Sequence, residues 1–160
     1  MTDLKSTFEQ MGFINVKTYI QSGNVIFETT ETNLPRLTTQ IETTLTKKFN
    51  YKSLVVVITE KQLKETVQKA PEGFGQSPDK YKYDVIFLKP PLTSEEAKVQ
   101  IITNPEVDQK FAGVDVLYFS RDSAKLSKSR LHKLIALKIY KSMTVRNWNT
   151  TTKLLEMINS

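Results

Sequence analysis

The chain has 160 residues, 39% hydrophobic and 25% charged, with a net charge of +6, no cysteine and one histidine, His132. These values fit one ordinary domain or two small subdomains, close to the average of globular chains. They exclude a disulfide framework, a thiol nucleophile, a thiolate metal site and a histidine metal cluster within one chain, so no cofactor is expected.

The first residues, MTDLKSTFEQ, lack the apolar core of a signal peptide. No apolar run approaches the roughly 20 residues a membrane helix needs. A cytoplasmic protein without a membrane partner is expected. A first helix is expected over 2–11, with Leu4, Phe8 and Met11 at helical spacing and Gly12 as its stop. Two β-rich runs, Val16–Ile20 and Val25–Phe27, flank Gln21-Ser22-Gly23-Asn24 and read as a hairpin. A second helix follows over 34–49, with Pro35 in its first turn and an apolar stripe of Leu34, Leu37, Ile41 and Leu45. The continuous apolar run Leu54–Ile58 reads as a buried strand. Thr59 and Gln62 then form a capping-box signature for a short helix carrying Leu63 and Val67.

Ala70–Lys80, APEGFGQSPDK, holds two glycines and two prolines and reads as a linker between an N-terminal half, 1–70, and a C-terminal half, 81–160. Beyond it, Tyr83–Leu88 is expected as a strand, Thr93 and Glu96 as the box of a helix reaching about Ile102, and Val114–Phe119 as a further strand. A basic helix over 127–141, with Leu131, Ile135 and Ile139 inward, and a last helix over 149–159 complete the chain. Strands adjacent in sequence favour antiparallel pairing, hence an α+β fold. Both halves suit the ferredoxin-like plan of antiparallel sheets flanked by helices, the first half lacking its usual first strand.

The positive charge is uneven. Residues 81–160 carry 13 basic and 8 acidic side chains, and eight of the basic ones lie between Arg121 and Arg146 with Asp122 as the sole acid there. Arg130, Lys133, Lys138 and Lys141 are the candidate phosphate contacts, since a concentrated basic face attracts polyanions by counterion release. A solvated face with no partner is the alternative reading. TVRNWNTTTKL, Thr144–Leu154, gathers Arg146, Asn147, Trp148, Asn149, Thr150 and Lys153 at a helix start, where free amides favour anions. Equally, Asn149 can be a plain N-cap and Trp148 an anchor. YIQSGN offers Tyr19, Ser22 and Asn24 at a hairpin tip, a place for ligand contacts or for a turn alone. No GxGxxG, Walker or GxSxG motif occurs, and His132 has no placeable nucleophile and carboxylate beside it.

Two of these stretches resemble one family. FINVKTYIQSGNVIF, Phe13–Phe27, is similar to the GF-x-NV-x-TYI-x-SGNV-x-F signature of the bacterial domain-of-unknown-function family 1697. Thr144–Thr150 with Lys153-Leu154 resembles its T-x-RNWNT-x-x-KL motif, and Tyr83–Leu88 and the basic segment also fit. The resemblance implies a cytoplasmic bacterial α+β protein of two ferredoxin-like halves, with no established activity. The family's upstream strand and RGINVGG-like loop have no counterpart in this sequence, which implies an open slot in the first sheet. The expected function is non-catalytic binding of an anionic ligand or nucleic acid at the basic C-terminal face. The alternatives are an enzyme acting on a phosphorylated small molecule and a structural protein that forms a homo-oligomer through the open sheet.

Overall fold

Short polar side chains set the helix starts. In the computed structural model, which describes residues 2–19 and 23–160, α1 spans Thr2–Gln10, β1 Ile14–Tyr19, β2 Asn24–Glu28 and α2 Leu34–Phe49. The α2 start is closed by the Asn33 side chain, which accepts from the Arg36 amide at 3.0 Å. Helix α3, Glu60–Gln68, opens with a full capping box: Thr59 Oγ1 accepts from the Gln62 amide at 3.1 Å, and Gln62 Oε1 from the Thr59 amide at 2.8 Å. Each such cap stabilises its helix by about 1 kcal/mol. Then come β3 Tyr81–Leu88, α4 Ser94–Gln100, β4 Asp108–Ala112, β5 Val116–Asp122, β6 Met143–Asn147 and α5 Trp148–Ile158.

The chain forms two compact units, residues 1–58 with 157–160 and residues 59–156. The division falls at Ile58/Thr59, so Ala70–Lys80, read from sequence as the linker, lies inside the second unit. The reason is burial. Phe74 packs its ring edge-on to Tyr83, Tyr118 and Trp148, with centroids 4.8, 5.3 and 5.1 Å away.

In the first unit β1 and β2 form an antiparallel pair, with Lys17 opposite Ile26 and Tyr19 opposite Asn24. Ile20, Gln21 and Ser22 of the expected hairpin lie outside the described residues. The core joins Phe8, Phe13, Val16, Leu37, Ile41 and Leu45, each contributing on the order of 1.5–3 kcal/mol by leaving water. Leu54–Ile58 differs from the expected strand: it has no ladder partner among the described residues. The Ser53 and Val55 amides instead donate to side chains of α2, Thr46 Oγ1 at 3.0 Å and Glu42 Oε2 at 2.9 Å.

The second unit holds a four-stranded sheet of order β4-β5-β3-β6, antiparallel throughout. Central β3 is bonded on both sides, which explains the unbroken burial of its last five residues. One face carries Ile86, Leu88, Leu117 and Phe119 into a core with Ala97, Ile101, Leu134 and Met143. On the other face the Tyr118 hydroxyl donates to the Thr66 carbonyl at 2.7 Å and ties α3 to the sheet.

The expected basic helix over 127–141 is corrected to three 3-10 turns, Ser123–Lys128, Leu131–Ala136 and Lys138–Ser142. Extended residues break it: Ser129 at φ −64°, ψ 146° and Leu137 at φ −82°, ψ 143°. Leu131, Leu134 and Leu137 recur every third residue, the period of a 3-10 turn, and all pack on the core. Ile135, expected inward, is 70% exposed.

Candidate anion-binding face

Two pieces of the second unit carry the residues singled out above. The first is the β6–α5 junction. Asn147, rather than Asn149, caps α5: its Oδ1 accepts from the Thr150 amide at 2.8 Å, and its carbonyl accepts from Thr151 Oγ1 at 3.0 Å. Trp148 stands at right angles to Phe74, at 89°, and its indole lies against Gly75 so closely that a Cβ there would run into the ring nitrogen. Gly75 sits at φ +82°, so both conformation and space favour glycine. Thr150 and Thr151 are buried. Arg146 is half-buried, and its Nη1 donates to Thr144 Oγ1 at 2.6 Å and to the Val145 carbonyl at 2.9 Å. Burial draws its pKa below the ordinary guanidinium value. Lys153 meets Glu156 at 3.4 Å. Asn147, Trp148 and Thr150 thus have architectural duties, while Asn149 is exposed.

The second piece is the ribbon of 3-10 turns, held at its centre by buried Asp108. That carboxylate accepts from Ser129 Oγ at 2.7 Å, from the Arg130 amide at 2.9 Å and from the Asn104 amide at 2.9 Å. Asn104 Nδ2 in turn donates to the Lys128 carbonyl at 3.0 Å. Leu134 anchors the ribbon from below, with Leu131, Leu137 and Ile139 beside it. Outward stand Lys125, Lys128, Arg130, Lys133, Lys138 and Lys141, all exposed, interleaved with His132, Ile135 and Tyr140. Among the described residues none of these six cations is in an ion pair. Asp122, the sole acid of the stretch, is turned to capping, its Oδ1 accepting from the Ala124 amide at 2.9 Å.

Tyr19 and Asn24 belong to the first unit, where Asn24 Nδ2 donates to the Tyr19 carbonyl at 3.1 Å. That bond spans the hairpin tip, and Asn24 is buried. Ser22 lies outside the described residues. Sequence reasoning passed over one charged pair: Arg121 Nη2 meets Asp84 Oδ2 at 3.1 Å inside the second unit. Burial pushes the Asp84 carboxyl above its ordinary value of 3.8, and the nearby Arg121 opposes that shift. Arg121 Nε and Ser123 Oγ are buried with no hydrogen-bond partner among the described residues. The signal in the sequence was an aspartate inside the apolar run YKYDVIFL. Among the described residues no group of three or more His, Asp or Glu side chains can hold a metal ion, and no helix is long and apolar enough to cross a membrane.

The fold and this face define the class, an α+β protein with two antiparallel sheets flanked by helices. The family model described as "Protein of unknown function (DUF1697)" matches residues 1–118, and the chain belongs to that family. The matched span ends before the Thr144–Leu154 motif. Among solved structures, the chain is similar to "conserved bacterial protein SP0830 from Streptococcus pneumoniae" at 18% identity, with a TM-score of 0.82 over 100% of this chain and 89% of that one. That likeness bears on the fold. No protein of curated function matches the chain.

Proposed function

We propose that this is a non-catalytic bacterial protein of the cytoplasm that binds single-stranded nucleic acid along the ribbon 123–142. The observation that carries the reading is the exposure of six cations without an ion pair on a segment pinned by Asp108. A run of paired charges would be a solvated surface; unpaired ones at fixed positions suit a phosphate track. The interleaved Tyr140, 40% exposed, and Ile135 give bases apolar surface to lie on. A chain without cysteine suits a reducing compartment.

Behind this face we read the ferredoxin-like plan. What supports it in the second unit is the order β4-β5-β3-β6 with every neighbouring pair antiparallel. In the first unit the plan would take β1 and β2 as its second and third strands, with no counterpart of its first strand among the described residues.

The test is a fluorescence-anisotropy titration of a labelled single-stranded oligonucleotide at several salt concentrations. Binding should weaken steeply with salt. The triple variant Arg130→Gln, Lys133→Gln, Lys138→Gln should lose affinity, while Arg146→Ala should matter little. Binding that ignores both salt and the triple variant sinks the reading. Saturable binding of a phosphorylated metabolite that is abolished by Arg146→Ala would replace it with a small-molecule site at the β6–α5 junction.

A further inference from the structure

The sheet of the second unit ends on one side at β4, and the outer edge of that strand is open. The Gly113 amide donates to the Val116 carbonyl at 2.8 Å and the Asp122 amide to the Val107 carbonyl at 3.0 Å. In an antiparallel ladder this fixes the alternation: Val107, Gln109, Phe111 and Gly113 turn their backbone groups to β5, and Asp108, Lys110 and Ala112 turn theirs outward. The Asn104 carbonyl takes the Asp108 amide at 2.7 Å. The amides and carbonyls of Lys110 and Ala112 have no partner among the described residues. Such an edge is ordinarily guarded by a proline, a bulge or an outstretched lysine. β4 has no proline, and its register with β5 is unbroken. Its one lysine is withdrawn, because Lys110 Nζ donates to the carbonyls of Lys98 and Ile101 at the end of α4.

We propose that β4 pairs with β4 of a second copy of this chain, antiparallel about a two-fold axis at Phe111. A two-fold interface sets one patch against itself, so the register follows from what each axis would bring together. With the axis at Phe111, Lys110 of each copy lies opposite Ala112 of the other, each pair exchanging both of its backbone bonds. Phe111, half-buried on the strand alone, then meets Phe111 in the non-hydrogen-bonded position, where side chains are closest and aromatic pairs stabilise a sheet. An axis at Lys110 would set two lysines opposite each other and call on the Asp108 amide, which Asn104 holds. An axis at Ala112 would set Phe111 opposite Gly113 and carry the pairing into the turn to β5. A strand of unrelated sequence would find the backbone bonds without the aromatic pair, so a second copy fits the edge best. The axis stands normal to the joined sheet, which leaves the ribbons of both copies on the same face, over the core of Ile86, Leu117 and Leu134. That one nucleic-acid strand would run over both ribbons rests on the function proposed above; the dimer does not.

The absence of cysteine makes the test direct. Opposed residues of a non-hydrogen-bonded pair have Cα atoms about 4.5 Å apart, within disulfide reach. Phe111→Cys, mildly oxidised, should therefore give a covalent dimer on a non-reducing gel. Gln109→Cys should not, since the two copies of that position would stand roughly 13 Å apart at about 3.3 Å per residue. Sedimentation equilibrium of the unaltered chain should show a reversible shift on dilution between 18.4 kDa and twice that mass. Ala112→Pro removes an amide that faces outward, so it spares the ladder with β5 and should raise the dimer dissociation constant roughly tenfold or more. Should that variant fold poorly by circular dichroism, the disulfide comparison stands without it. A mass of 18.4 kDa at every concentration overturns the proposal. So does a dimer that a folded Ala112→Pro leaves intact, and so does a disulfide formed as readily at position 109 as at 111.

Discussion

Asn147 and Asn149 differ by two positions and have opposite duties. The side chain of Asn147 holds the Thr150 amide at 2.8 Å, whereas Asn149 is exposed on the first turn of α5. Asn147→Ala should lower stability by about 1 kcal/mol, and Asn149→Ala by a few tenths at most, in denaturant melts of the two variants. Equal losses would mean that both share the cap. Sequence alone puts the cap two residues late, because TVRN becomes a strand only through its pairing with β3. Once β6 ends at Asn147, the cap follows. At Gly75, alanine would meet the Trp148 indole and hold φ at +82°, so Gly75→Ala should destabilise by more than 1 kcal/mol and shift the emission of the sole tryptophan. An unshifted spectrum with unchanged stability would mean that the Ala70–Lys80 segment does not pack as described. Asp84 gives a pH-linked case. With Arg121 removed, a carboxylate of the β3 interior has lost its counter-charge, a loss of roughly 3 kcal/mol. Arg121→Ala should therefore raise the Asp84 pKa further above 3.8. A raised carboxyl withholds its cost while protonated, so the variant should be least destabilised at low pH and lose stability as pH rises past 3.8. A pH-independent difference between the two proteins would assign Arg121 a packing role only.

At the scale of elements, helices with a side-chain cap were readable and polar strands were not. Pro35 in a first turn announced α2, and Thr59 with Gln62 announced α3, because helix starts are local chemistry between neighbours in sequence. β4, DQKFA, carries no apolar alternation, and its existence depends on β5 beside it. The ribbon 123–142 misled in the other direction. Leu131, Ile135 and Ile139 fit a helical period, but Leu131, Leu134 and Leu137 fit a period of three, and the contacts made by Asp108 from β4 favour the second. An element stabilised by a distant residue cannot be assigned from its own pattern. The basic residues themselves were found, since exposure of charge needs no knowledge of the backbone. The proposed binding has a numerical consequence at this scale. Neutralising Arg130, Lys133 and Lys138 should reduce the slope of log affinity against log salt by about 2 for a single strand, at roughly 0.7 per phosphate contact. An unchanged slope with lower affinity would mean that the ribbon shapes the site without touching phosphates. The α3–sheet tie is tested at the alkaline end. Burial pushes the Tyr118 hydroxyl up to about 12 from 10.0. The unfolded chain ionises first, so stability held by this group is complete below pH 10 and is lost as pH rises toward about 12. Tyr118→Phe should flatten that alkaline loss while costing about 1 kcal/mol at neutral pH for the bond to Thr66.

For the whole molecule, the contrast between the two units is a contrast in backbone accounting. In the second unit β3 is bonded along both edges, to β5 from Tyr81 to Phe87 and to β6 from Asp84 to Leu88. In the first, among the described residues, β1 and β2 pair only with each other, and the bonds to the apolar run that follows α2 come from side chains. The amino-acid pattern announces the apolar run plainly but says nothing of its ladder, because hydrogen-bond partners are a property of assembled strands. Local stability should follow the ladder rather than the hydrophobicity. In hydrogen exchange read residue by residue, the amides of Val85, Ile86 and Phe87 should be among the slowest, opening only with global unfolding. Leu54, Val56 and Ile58 should exchange orders of magnitude faster, although each is as apolar as the β3 residues. Ser53 and Val55, held by α2, should fall between. Uniform protection across both sets would show that hydrophobic burial alone sets the order.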